Sequence, residues 1–443
     1  MKFLKSFYIH NIFFRYLGCL AACFVVSYWI KVLYPIAWVL FLLLVGLFFF
    51  DILLLYGLGK GIQARRKLPL KLSNSDANPI KIEFEAYYPF KTYISIVDEL
   101  PKQFQKRDFD YKNTLIKGEK KQFKYTVRPV DRGEYVFGNL IVFASSPLRI
   151  LKRKFAIQKD QMVPVYPSII QMQQYDFLAI SNRLSMLGLK KIRRIGHTQE
   201  FEQIKEYVQG DDVRTLNWKA TAKQNQLMVN QYQDEKSQPV YSIIDTGRVM
   251  KMPFNDLKLL DYAINSCLAF SNIALKRNDK TGLIGFSKAI NSYVPALQKP
   301  THLNTILEQL YNIDTSFTDS DFGVLYSHIK RKINQRSLLL LYTNFEHISS
   351  LKRQLPYFLA LAKKHVLVVV FFKNSELEKL ISTDVEDLQS IYHKTIAEKF
   401  SFEKVLMQKE LQKYGIQTIL TKPEELTINT INKYLEIKAR GLL

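Results

Sequence analysis

Three patterns of apolar and polar positions follow one another along this 443-residue chain. The first is nearly continuous. Residues 13–32 are apolar with Arg15 and Lys31 near the ends, and after a Tyr34-Pro35 turn residues 36–58 are apolar apart from Asp51. Each run is about 20 residues, the length that crosses a hydrocarbon core as a helix, so the pair predicts a transmembrane hairpin. The second pattern has period two. Ile80-Lys81-Ile82-Glu83-Phe84-Glu85 and Phe123-Lys124-Tyr125-Thr126-Val127-Arg128 alternate cleanly, with turn signals at Ser73-Asn74-Ser75-Asp76 and Asp131-Arg132-Gly133. Such spacing predicts a small antiparallel β-sandwich.

The third pattern begins after a polar, basic segment. Short apolar runs end at Asp245 and cover residues 281–286, 337–343, 365–372 and 416–421, and amphipathic helical stretches separate them. This alternation predicts an α/β domain with a doubly wound, mostly parallel sheet. The expected organisation is a two-helix anchor over 1–62, a β-sandwich-like domain over 63–167, a linking segment over 168–236 and the α/β domain over 237–443. In doubly wound sheets, sites form at the carboxyl ends of strands, where Asp245, Thr343 and Asn344 fall.

Charge then sets the orientation. Lys2, Lys5 and Arg15 precede the first span, and Lys60, Arg65, Arg66 and Lys67 follow the second. The positive-inside rule places both outer flanks, both termini and the soluble body on the cytoplasmic side of the inner membrane. Asp51 falls near the same interface as Arg15, which predicts an Arg15–Asp51 pair. A lipoprotein cleavage box at Leu20-Ala21-Ala22-Cys23 fits less well, because the apolar run continues past the cysteine. The net charge is +23, and the basic clusters at 65–67, 152–154 and 190–194 are expected to face anionic lipid rather than nucleic acid.

Chemistry is sparse. The chain has no GxxxxGK[ST], HExxH or GxSxG motif, its histidines lack metal-ligand spacing, and three cysteines make no disulfide framework. GLGKG at 57–61 follows a membrane span rather than a strand and does not read as a phosphate loop. The densest polar segment is YVQGDDVRTLNWKATA at 207–222. Asp211 and Asp212 could be an acid/base pair. The structural alternative has an aspartate capping a helix, Arg214 bridging Asp211 or a neighbouring Glu, and Trp218 packing the short helix onto the sheet, with Lys219 beside it.

EFEQIKEYVQGDDVRTLNWKATA, IIDTGRVM and the terminal NTINKYLEIKARG together resemble the bacterial domain-of-unknown-function family 58. An RGEY turn at Arg132–Tyr135 and two N-terminal apolar helices extend the resemblance. It implies a von Willebrand factor A-like domain and association with a MoxR-type AAA+ ATPase. It also implies a metal-ion-dependent adhesion site for Mg²⁺ or Mn²⁺, built from a DxSxS turn, a distant threonine and a distant aspartate. The corresponding turn is Asp245-Thr246-Gly247-Arg248-Val249, with glycine and valine at the serine positions. Asn344 stands for the aspartate and Thr301 for the threonine, so the expected site is degenerate. Asp245 is then expected to cap the next helix or pair with Arg248 or Lys219. The expected function is a non-enzymatic, membrane-anchored adaptor that uses Asp211, Asp212, Arg214, Trp218, Lys219, Asp245 and Arg248 to meet an ATPase and client proteins. A metal-dependent hydrolase using Asp211, Asp212 and Asp245 is the competing expectation.

Overall fold

The computed structural model describes residues 6–57, 61–106, 109–157, 160–180, 200–209, 211, 213–233, 237–255, 257–382 and 387–442. Asp212, the basic residues Lys190, Lys191, Arg193 and Arg194, and most of the GLGKG stretch lie outside the described residues. The chain forms two compact units, Met1–Tyr166 and Pro167–Leu443.

The first unit opens with helices α1 (Asn11–Trp29) and α2 (Leu33–Gly57). His10 caps α1 by accepting the Ile12 N–H on Nδ1 at 3.1 Å. Pro35 lies in the first turn of α2, where its missing N–H costs no helical bond. Both helices are long and apolar enough to cross a membrane. Trp29, Leu42, Phe49 and Leu53 project outward and are exposed, a surface that water would leave unfavourably solvated. At 1.5 Å per residue α2 is about 37 Å long, more than the roughly 30 Å of a hydrocarbon core.

The carboxyl-terminal end of α2 enters the β-rich part of the unit. Leu55 is buried there, with Leu47, Phe48, Ile52 and Tyr56 packed alongside. Its carbonyl, orphaned at the helix end, accepts from the Tyr88 hydroxyl at 3.0 Å and the Arg153 guanidinium at 2.6 Å. Asp51 is buried and accepts the Leu151 N–H at 2.8 Å. The expected partner, Arg15, is replaced by a strand backbone, because α2 carries this carboxylate into the β-rich part of the unit.

The strands of this unit are β1 (Phe7–Ile9), β2 (Ile62–Lys67), β3 (Leu72–Ser73), β4 (Asn78–Ala86), β5 (Thr92–Asp98), β6 (Tyr111–Leu115), β7 (Lys120–Val127), β8 (Gly133–Phe137), β9 (Leu140–Ser145), β10 (Leu151–Ile157) and β11 (Gln161–Tyr166). They assemble as β1-β10-β9-β5-β6, β2-β4-β7 and β3-β11-β8. The period-two pattern is realised directly: Ile80, Ile82, Phe84 and Ala86 of β4 are buried, and the residues between them are not.

Arg66 joins the three sheets. It is 2% exposed, and its guanidinium lies 2.5 Å from Asp98 at the end of β5. It also donates to Gln161 of β11 at 3.2 Å and to the Gly138 carbonyl at 3.1 Å. The Tyr125 hydroxyl of β7 donates to the other Asp98 oxygen at 2.5 Å. Arg66 therefore does not face lipid, nor does Arg153. A cationic cluster in sequence is divided here because alternate strand residues point to opposite faces.

The second unit continues with α3 (Ile169–Ile180), β12 (Glu200–Glu206), α4 (Trp218–Gln224) and β13 (Met228–Gln233), where β12 and β13 pair antiparallel. Then follow β14 (Pro239–Asp245), β15 (Pro253–Phe254), β16 (Leu257–Lys258), α5 (Leu259–Lys276), β17 (Lys280–Phe286), β18 (Ile290–Leu297), α6 (His302–Asn312), α7 (Phe322–Lys332) and β19 (Leu338–Tyr342). Last come α8 (Ile348–Ala362), β20 (Val366–Phe372), α9 (Ser375–Ser382), α10 (Leu388–Lys413), β21 (Gln417–Thr421) and α11 (Leu426–Ala439).

One sheet has the order β18-β17-β14-β19-β20-β21, and only β18 runs antiparallel to its neighbour. Val240 and Ile244 of β14 face Leu260 and Ile264 of α5, Ile306 of α6 and Tyr434 of α11 across one apolar cluster. Ile243 faces the other way, into a cluster with Leu325 of α7, Phe358 of α8 and Met407 of α10. The unit is thus a mixed α/β fold with helices on both faces. Strands β17 and β18 lie on one side of β14 and β19 to β21 on the other, so the sheet order reverses beside β14. A crevice at that reversal is where such sheets place their sites.

Candidate functional site

Asp245 ends β14 and is 1% exposed. Its Oδ1 accepts the Gly247 N–H at 2.8 Å and the Ser320 hydroxyl, and its Oδ2 accepts the Thr343 hydroxyl at 2.7 Å. Three chain segments meet on one carboxylate. The surrounding loop is fastened further: Ser316 N–H donates to the Thr246 carbonyl at 2.8 Å, and Arg248 N–H to the Thr318 carbonyl at 3.1 Å. Asn291 donates to the Thr246 hydroxyl at 2.9 Å.

This geometry corrects several expectations. Asp245 neither caps the next long helix nor pairs with Arg248 or Lys219. Arg248 points outward to Asp319 at 3.5 Å, and Lys219 is exposed on α4. Thr301 precedes α6 as an exposed N-cap residue whose side chain makes no cap bond. The threonine that reaches Asp245 is Thr343. Gly247 also has a reason: a Cβ there would overlap the Ser320 hydroxyl. A hydroxyl from a loop 75 residues away thus occupies the space where the motif's first serine would sit.

Burial pushes the Asp245 carboxyl above its usual range, against the opposing hydrogen bonds from Ser320, Thr343 and Gly247. No Lys or Arg contributes to that balance. Asn344, next to Thr343, has its own cation: Lys404 of α10 donates to Asn344 Oδ1 at 2.7 Å and also to the Phe345 carbonyl. Burial pushes the Lys404 ammonium down to about 8, against the pull of Glu346 and Glu403.

These residues do not fit the Mg²⁺ or Mn²⁺ of an adhesion site. Mg²⁺ demands about six oxygens in near-octahedral array. Both oxygens of Asp245 already accept protein donors. Gly247 and Val249 bring no side-chain oxygen, and Asn344 Oδ1 is taken by an ammonium. Among the described residues no group of three or more His, Cys, Asp or Glu could hold a metal.

Asp211 lies elsewhere, on the β12–β13 hairpin. It accepts from Lys205 at 2.9 Å and from the Val208 N–H at 3.0 Å. It shares no partner with Asp245, so the two carboxylates are not brought together by bonding, and Asp212 lies outside the described residues. The short helix α4 is capped by Asn217, which accepts the Ala220 N–H at 3.0 Å, rather than by an aspartate. Trp218 does not pack onto the sheet. It is 68% exposed, and Val208, Val213 and Leu227 of the same hairpin are exposed with it.

Residues 203–398 match the family model described as "Protein of unknown function DUF58". That segment is a DUF58 region. The resemblance read from the signature blocks therefore stands. The DUF58 segment includes most of the hairpin, Asp245, Ser320, Thr343 and Asn344, and ends just before Lys404. The chain is also 23% identical over 266 residues to "Uncharacterized protein YeaD" of Bacillus subtilis (strain 168), a match covering 58% of this chain and 64% of that relative. Similar solved structures include the conserved hypothetical protein BatB from Bacteroides thetaiotaomicron, 15% identical, covering 46% of this chain and 99% of that one with TM-score 0.32. Another is the SpRpn10 VWA domain, 10% identical, covering 44% and 94% with TM-score 0.27.

Ser320 and Lys404 escaped the sequence reading. Ser320 stands in a polar Thr318-Asp319-Ser320-Asp321 run that reads as a helix start, and Asp321 does cap α7 by accepting from Gly323 and Val324. Lys404 is one of several lysines on a long amphipathic helix. Neither carries a local signal of what it touches.

Proposed function

We propose that this chain is a membrane-anchored, cytosolic protein-interaction module that is not an enzyme. Its α/β unit is read as von Willebrand factor A-like, and a MoxR-type AAA+ ATPase is the proposed partner, with client proteins handled between them. The observation that carries the reading is the exposed apolar surface of the signature hairpin. A tryptophan and three aliphatic side chains standing in water on one short hairpin are the composition of an interaction hot spot. Arg214, Lys219 and Lys223 beside them suit an acidic face on the partner.

A photo-crosslinking amino acid at position 218, in cells, tests this. A covalent adduct with an AAA+ ATPase is the expected result, and labelling of lipid alone would overturn the reading. Trp218→Ala is expected to weaken capture of that partner at least tenfold, a loss of about 1.4 kcal/mol. The melting temperature should not move, because an exposed ring supports little of the fold. Unchanged capture would remove Trp218 from the interface.

The proposed topology has two spans with both termini and the body in the cytoplasm. A single cysteine at Val32, in a background lacking Cys19, Cys23 and Cys267, is then expected to react with an impermeant maleimide in intact spheroplasts. Reaction only after permeabilisation would reverse the orientation.

A further inference from the structure

A cavity of about 370 Å³ opens at the carboxyl ends of β19, β20 and β21, roofed by α9 and α10. That volume is in the range of sites for small organic molecules, roughly 300–1,000 Å³. Its walls are mainly apolar, with Phe254, Phe372, Leu377, Phe400, Val405 and Leu420 among them. Asn344 and Lys404 both line the space, and the charged residues Glu346, Lys373 and Glu378 line it as well.

Asn344 and Lys404 leave donors unspent. An ammonium has three N–H donors. Two of Lys404's are directed at Asn344 Oδ1 and the Phe345 carbonyl, and no third acceptor is found among the described residues. Because Asn344 Oδ1 accepts from Lys404, its Nδ2 end carries two further donors, also without a partner among the described residues. The acidic neighbours have other partners or are exposed to solvent, which screens them. Glu378 is held by Lys422 at 2.8 Å and by Lys373 at 3.9 Å, Glu403 lies 3.3 Å from His347, and Glu346 is exposed.

We propose that this cavity binds a small apolar monocarboxylate, its two oxygens seated on Lys404 Nζ and Asn344 Nδ2 and its hydrocarbon body against the phenylalanine-lined wall. Two adjacent donors, one of them cationic, match the two oxygens of a carboxylate. The apolar wall rewards a hydrocarbon body, at about 25 cal/mol for each Å² it covers. The inference is independent of what binds the hairpin.

The free acid and the carboxyl terminus of a protein offer the same chemistry, and titration calorimetry on the full chain in lipid nanodiscs separates them. 4-Phenylbutyrate is expected to bind at least tenfold more tightly than 4-phenylbutan-1-ol. Lys404→Met should reduce the acid to the level of the alcohol, and Asn344→Asp should do the same by repulsion without a change of size. Val405→Trp, which fills the cavity, should remove both ligands. Thermal melts of each variant check that it is folded. A peptide ending in phenylalanine that outbinds 4-phenylbutyrate, and loses that advantage on amidation, would name a protein terminus as the source, and the reverse order would name a small molecule. Equal affinity for acid and alcohol, acid preference surviving Lys404→Met, binding surviving Val405→Trp, or no binding of either ligand would each overturn the proposal.

Discussion

Asp98→Ala is expected to destabilise the first unit by about 3–5 kcal/mol, the usual result of removing one partner of a buried ion pair. Both side chains of the Arg66–Asp98 pair are fully buried. Without the carboxylate, the guanidinium keeps neutral acceptors such as Gln161 and the Phe137 and Gly138 carbonyls, and the Tyr125 hydroxyl loses its acceptor. The charge cannot be shed, because arginine does not deprotonate in proteins. Pulse proteolysis of the full chain in urea, read at cleavage sites within residues 61–166, measures the change. Arg66→Met combined with Asp98→Leu should recover most of the loss, since replacing a whole buried pair by apolar groups is often neutral. A loss below about 1 kcal/mol for Asp98→Ala would show that water reaches the pair and that the three sheets do not depend on it.

Asp245→Ala is expected to cost the second unit about 2–4 kcal/mol, because three donors from three segments lose one acceptor at a buried site. Asp245→Asn is expected to cost under about 1 kcal/mol, since the Thr343 and Ser320 hydroxyls can rotate to accept where they now donate. The charge itself works against the fold. Burial raises the folded-state pKa of this group above its unfolded value, so the folded chain binds the proton more readily. The stability linked to that proton is fully present below the unfolded pKa of about 3.9 and is lost as pH rises through the folded value. In Asp245→Asn this part of the pH dependence should vanish. Unfolding midpoints of the two variants across acidic to neutral pH test both statements, with Mg²⁺ and with EDTA. If Asn proves as damaging as Ala, the charge matters. If Mg²⁺ raises the midpoint of the native chain but not of Asp245→Asn, the carboxylate holds a metal after all.

The site and the fold differ in how far they could be read from sequence. Strand Pro239–Asp245 was legible because seven consecutive residues are buried and an aspartate ends the run. The alternation in β4 was legible because burial there follows a period of two. Both signals are local, carried by residues a few positions apart. The helix Leu33–Gly57 was equally plain, but how much of it enters the β-rich part of the unit was not. Hydropathy does not distinguish lipid from the protein core that receives Leu55.

By itself, then, the sequence determined the two apolar spans, the strands of the β-rich part, the α/β alternation, the DUF58 signature and the placing of Asp245 at a strand end. These follow from composition and period, which neighbouring residues impose on their own backbone. Only the tertiary structure decided the partners of the polar side chains. Arg66 meets Asp98 across 32 residues, Asp51 meets Leu151 across 100, Ser320 and Thr343 reach Asp245 across 75 and 98, and Lys404 reaches Asn344 across 60. A hydrogen bond is set by distance and angle to within a few tenths of an ångström. That precision exists only after the sheets have closed and the helices have docked, and no spacing along the chain encodes it.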